Sequence, residues 1–163
     1  MANIKEQQLY IDLLALFATI KTTNEYAAGK NYETNIGNFV RDWSDVPISD
    51  SETEVLILED PEMNYAEQEE HSADHKVSHT FVLKLFLAKG EDTLDELRKA
   101  QRDLRRCLGA NIAAFITKYH AIAFKPITIV KGFEKAERLR GGLVFRFTAE
   151  WSQEKWLIDE PEY

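Results

Sequence analysis

The sequence predicts an α+β fold formed by one domain over residues 1–163: a mixed or antiparallel sheet packed against two main helices, with a long projecting β-hairpin. Three observations carry this. Residues 3–21, NIKEQQLYIDLLALFATIK, repeat apolar side chains at helical spacing. Residues 74–90, DHKVSHTFVLKLFLAKG, alternate with a period of two instead. Such segments follow the order helix, strands, helices, strands, with neither an internal repeat nor a linker of domain-boundary length. At 163 residues, 44% hydrophobic and 29% charged, the chain can bury one sizeable core.

In the first helix Leu9, Leu13, Leu16 and Ile20 form the apolar stripe, widened by Leu14 and Phe17. Lys5, Glu6, Gln8 and Asp12 take the wetter side. Asn3 can cap the start, with Glu6 as its capping-box partner. NYETNIGNFVRDW, residues 31–43, reads as an extended segment with Tyr32, Thr34, Ile36 and Val40 on one side. A short strand is expected at 54–59, stopped by Pro61. The next strand, 75–88, sets His75, Val77, His79, Phe81, Leu83, Leu85 and Leu87 on one face. At about 3.3 Å per residue it reaches roughly 45 Å, longer than a compact domain needs, so its half-polar N-terminal half is expected to project.

The helix after Gly90 opens at Asp92 or Thr93, buries Leu94, Leu97, Ala100, Leu104 and Leu108, and stops at Gly109. ANIAAFITKYH then reads as a second short helix packing Ile112, Phe115, Ile116 and Tyr119. Strands follow at 126–131, PITIVK, and 143–151, LVFRFTAEW, with a further candidate in KWLID. Gly141 and Gly142, ahead of the long strand, fit a turn with positive φ. The core is expected where Phe81, Leu83, Leu85 and Leu87 meet Leu13, Leu16, Phe17, Leu97, Leu104 and Leu108.

Net charge is −8, and the acid is concentrated: Asp42 to Asp74 contains twelve Asp and Glu residues and no Lys or Arg. Such a surface repels phosphate backbones, which argues against tight nucleic-acid binding there. The basic clusters RKAQRDLRR and KGFEKAERLR are interleaved with acids and read as solvated faces. No apolar run is long enough for a membrane helix. The single cysteine, Cys107, excludes an internal disulfide framework, and beside Leu104 and Leu108 it reads as a small buried thiol. Phosphate-binding glycine loops and nucleophile-elbow motifs are absent.

Three of the four histidines fall in EEHSADHKVSHTF, residues 69–81. On a helix, His71, His75 and His79 would share one face and could gather a zinc ion. On a strand, His75 and His79 stand roughly 13 Å apart, too far for one ion to bridge. The alternation from Asp74 onward favours the strand, so no metal, cofactor or catalytic residue is assigned.

Beyond single motifs, the layout resembles the tail-terminator and tail-completion proteins of long-tailed bacteriophages, the minor tail protein U-like group. The resemblance covers about residues 4–110. It runs through an opening helix, Tyr32, Val40, Arg41 and Pro47, a strand at Val55 to Glu59, the alternating run Phe81 to Leu87, and a helix from Leu97 to Leu108 with Asp103 inside it. The insertion ANIAAFITKYHAIAFKP departs from the shortest members. The resemblance implies a non-catalytic α+β subunit of a homo-oligomeric ring, commonly hexameric, at the head-proximal end of the tail tube. It would assemble in the bacterial host cytoplasm and end in the virion tail. Its partners would be further copies and other tail or head-tail connector proteins, and DNA would only pass through an acidic lumen. On this reading a hairpin arm reaches a neighbouring subunit, with Met63, Tyr65, Val77 and Phe81 as apolar contacts and His75 and His79 adding pH sensitivity near pH 6. Two other readings are a protein-interaction domain and a metal-dependent hydrolase built on the His and acidic cluster.

Overall fold

The computed structural model describes residues 5–43, 48–49, 51–67, 74–119, 123–135 and 139–154. The chain order is α1 (Lys5–Phe17), β1 (Glu25–Ala27), β2 (Lys30–Asn31), a 3₁₀ turn (Ile36–Phe39), β3 (Val40–Asp42), β4 (Glu54–Glu67), β5 (Asp74–Leu87), a second 3₁₀ turn (Gly90–Asp92), α2 (Thr93–Tyr119), β6 (Ala123–Lys135) and β7 (Leu139–Glu154). β1 and β2 make a small antiparallel pair. The other strands form one mixed sheet in the order β3-β4-β5-β7-β6, in which only the β3–β4 step is parallel. The fold is α+β, with both helices contributing to one core.

Period-two alternation builds that core. On β5, Val77, Phe81, Leu83, Leu85 and Leu87 are buried, and across the ladder they meet Trp151, Phe147, Phe145, Leu143 and Gly141 of β7. Leu9, Leu13, Phe17 and Ile20 from the first helical segment, and Leu97, Ala100, Leu104 and Cys107 from α2, close over this face. Leu16 and Leu108 are partly buried against it. The expected meeting of this strand face with the two helical stripes is therefore observed. Leu94 differs: it is exposed, and Thr93 takes the buried place one residue earlier.

Four local expectations change. Pro61 does not stop β4, because the β4–β5 register shifts between Glu59 and Glu62 and the proline falls in that bulge. A bulge is where a strand tolerates a residue without an N–H. Gly109 does not end α2 either; the helix runs 27 residues from Thr93 to Tyr119. Its second half is anchored beyond the glycine: Phe115 contacts Phe124 and Tyr119, and Lys118 Nζ lies 2.5 Å from the Asp12 carboxylate, which also accepts from the Tyr119 hydroxyl. Tyr32, Thr34 and Ile36 are all buried on one side as expected, yet only Lys30–Asn31 and Val40–Asp42 are strand. Gly141 and Gly142 lie within β7 and neither has a positive φ. Gly141 is there for close approach instead: a Cβ would stand 2.4 Å from Leu97 Cδ1 and 2.8 Å from Thr93 Cγ2. The candidate strand KWLID and the Asn3 cap lie outside the described residues.

The two helix-associated glycines make opposite predictions. Gly141→Ala forces Leu97 and Thr93 apart where both are fully buried, and should cost about 1–3 kcal/mol. Gly109→Ala places its methyl in open space inside a helix and should add about 0.5–1 kcal/mol. Urea denaturation of both variants checks the pair; equal signs would mean that α2 does not dock on β7 as described.

Candidate functional site

The six residues singled out on the hairpin do come together. Met63 pairs with His79, and Tyr65 pairs with Val77, across β4 and β5; Phe81 follows on the same face of β5. His75 pairs with Glu67 and with Gln153. The side chains of Tyr65 and His75, and all of His71, lie outside the described residues.

Their setting corrects the idea of a bare arm. β7 flanks β5 along its whole length, from Asp74↔Glu154 to Leu87↔Gly141. Val77 and Phe81 are fully buried within their own chain, and His79 is 2% exposed. Such side chains have no surface left to offer a neighbouring subunit, because β7 and the core already cover them. Met63 is partly buried against the same core.

His79 is a core histidine. Its Nε2 lies 3.2 Å from Asp60 Oδ2 in the β4 bulge, and its ring packs 4.2 Å from Phe81 and 5.7 Å from Trp151. Burial holds its pKa below the ordinary histidine value, although Asp60 pulls the other way. The expectation of a surface histidine charging near pH 6 is not met for His79, since desolvation outweighs its carboxylate partner. Nδ1 is buried with no hydrogen-bond partner, so a proton there would have nothing to bond. Among the described residues, no three His, Cys, Asp or Glu side chains converge as a metal site.

A buried carboxylate that sequence reading met only as part of a family pattern organises the next segment. Asp103 on α2 is fully buried. Its Oδ2 accepts from Glu33 N at 2.9 Å, Thr34 N at 2.8 Å and Thr34 Oγ1 at 2.8 Å, and its Oδ1 accepts from Arg106 Nη1 at 3.1 Å. Arg102 and Arg106 in turn grip the Glu33 carboxylate, the main reason it stays well below the usual carboxylate range. Part of the basic cluster RKAQRDLRR is thus structural. Cys107, buried beneath this network, has its thiol pushed up to about 11 by desolvation and is poorly suited to act as a nucleophile.

The surface features most open to a partner are elsewhere. β6 is an edge strand of 13 residues, and Ile127 and Val130 on it are 55% and 61% exposed. At the other edge β3 covers β4 only at Leu56–Leu58, leaving residues 59–67 without an outer neighbour among the described residues. Trp43, where the chain leaves β3, is 53% exposed. PITIVK carried the signal for β6, since apolar residues at both 129 and 130 break the one-sided alternation of a covered strand. Between α2 and β6 lies a groove of about 210 Å³ lined by Leu108, Ile112, Phe124 and Ile129, with Arg105 and Lys125 also in its wall. No helix among the described residues is long and apolar enough to cross a membrane.

No family model matches the chain, and no curated protein matches it either.

Two predictions follow from the buried polar groups. Asp103→Ala strands two backbone N–H groups and should cost about 3 kcal/mol, seen as a lower urea midpoint; a neutral result would detach Asp103 from the 33–34 segment. For His79, the unfolded ring titrates near about 6.5 and the folded ring lower, so the unfolded chain binds the proton first. The stability due to its neutral form is complete above about pH 6.5 and is lost as pH falls toward the folded pKa. His79→Gln should flatten the fall in stability between roughly pH 7 and 5. An unchanged slope would assign that fall to other groups.

Proposed function

We propose that this chain is a structural subunit of a long-tailed bacteriophage or prophage tail, which forms a homo-oligomeric ring and terminates or completes the tail tube at its head-proximal end without catalysis. One observation carries the reading: the stretches that resemble the tail-terminator group coincide with the architectural joints of the fold. Tyr32 opens the segment tied by Asp103, Val40 and Arg41 form β3, Val55–Glu59 and Phe81–Leu87 are neighbouring strands, and Leu97–Leu108 is the docking half of α2. Pro47 lies outside the described residues.

The acidic lumen that the resemblance implies would draw on exposed acids such as Glu62, since Glu52, Glu54 and Glu59 are already ion-paired with Arg41, Lys89 and Lys84. Copies of itself and adjoining tail or head-tail connector proteins are the proposed partners, with assembly in the host cytoplasm. The exposed Ile127 and Val130, on a strand with no outer neighbour among the described residues, also favour a second reading, an interaction domain that captures one different protein by strand addition.

Solution mass separates the two. Sedimentation velocity should give a discrete oligomer, and negative-stain micrographs should show rings. A stable monomer at high concentration, with no ring, would sink the tail reading.

A further inference from the structure

We infer that residues 155–163 of one copy, KWLIDEPEY, dock in the groove between α2 and β6 of a neighbouring copy, with their apolar side chains inside it and their acids against its basic end. This rests on the homo-oligomer reading and names the contact that builds it.

The groove has an apolar floor and a basic end. Leu108 and Ile112 from α2 meet Phe124 and Ile129 from β6 above Phe145 and Phe147, around a volume of about 210 Å³. Small-molecule pockets run to roughly 300–1,000 Å³, so this one suits one or two side chains of a peptide. Arg105 stands exposed in its wall. Arg98 lies seven residues earlier on the same side of α2. Lys131 shares the helix-facing side of β6 with Ile129, because they pair with Leu143 and Phe145. None of these three cations forms an ion pair among the described residues. Lys125 does not join them: it pairs with Thr148 on the opposite face, where Glu150 holds its ammonium.

Residues 155–163 are the complement in sequence. Trp156, Leu157 and Ile158 form an apolar run, and Asp159, Glu160 and Glu162 follow it. Tryptophan is among the side chains that most often anchor an interface, and acids set against unpaired cations fix its orientation. Reach decides whose groove is filled. Phe147 lies on the groove floor, and β7 carries the chain seven residues further to Glu154, roughly 23 Å away. Ile158 is four residues past Glu154 and extends at most about 14 Å, even before the chain reverses direction. The apolar run therefore cannot fill the groove of its own chain. It can fill that of a second copy, and because segment and groove are different surfaces, each copy gives one contact and receives another.

The test separates segment from groove on the full chain. Gly109 lines the groove, and a Cβ added there meets nothing within 4 Å, so Gly109→Leu plugs the groove without touching the core. Trp156→Glu removes the apolar anchor and leaves the groove intact. Arg105→Glu, at an exposed position, serves as a second groove variant. Sedimentation velocity is run on the unaltered protein, on each variant and on an equimolar mixture of a groove variant with Trp156→Glu, with circular dichroism confirming that each folds. Each variant alone should associate about tenfold more weakly or worse. The mixture should form a one-to-one dimer and nothing larger, because one intact segment then meets one intact groove. If the unaltered protein assembles and the variants assemble equally well, the docking is overturned while the ring reading stands. If the variants lose assembly but their mixture stays monomeric, segment and groove do not meet and the inference is again overturned. If the unaltered protein is monomeric throughout, both fall.

Discussion

The central position of β5 is the constraint on which the other elements depend. Its helix-facing row carries Val77, His79, Phe81, Leu83, Leu85 and Leu87, none of which can face water cheaply. Its opposite row includes Thr80 and Val82, which are buried too. A strand apolar enough to be covered on one face along its whole length must also have its backbone satisfied on both edges. β4 supplies one edge and β7 the other, each for nearly all fourteen residues. Register is then fixed, because a slip by one residue would turn this row outward and bring Lys76 and Lys84 into the core. Gly141 follows from the same register: it ends the ladder opposite Leu87 at the spot where Leu97 must settle.

Asp103 holds the second joint by a different kind of interaction. A buried carboxylate forfeits much hydration energy, and hydrogen bonds with an adjacent guanidinium recover it. Here two of its donors are backbone amides of a segment that would otherwise look for a strand partner. This explains why Tyr32, Thr34 and Ile36 alternate like a strand and are buried like one without joining a ladder. The N–H groups of Glu33 and Thr34 are committed to a side chain on α2. A polar contact with demanding geometry thus sets the path of the chain where apolar contacts alone would leave it free to slide.

How much of this was legible in the sequence depends on the range of the interactions. The α+β class, the long hairpin, the face of β5 and the stripes of both helices could be read because periodicity records a neighbour's presence without naming it. Punctuation was less readable. Pro61 and Gly109 have strong local preferences, but a bulge absorbed the first, and contacts made by Phe115, Lys118 and Tyr119 carried the helix through the second. Gly141 looked like a turn residue because its reason, the approach of Leu97, lies more than forty positions away. On the hairpin, the residues chosen as contacts did gather together, but apolar character was read as an offer to a partner when β7 had already accepted it. His79 is a case of the same kind: it faces Trp151 and Phe81, a placement that depends on a strand seventy residues later.

The two parts of the sheet without an outer neighbour among the described residues are also opposite in the sign of their charge. A protein that only had to remain monomeric could blunt both edges with the same device, and lysine on an edge is a common one. Here one edge is basic with a proline and a bulge, whereas the other is acidic with a proline and a bulge. Each repels its own kind, which suppresses random edge-to-edge stacking of like with like.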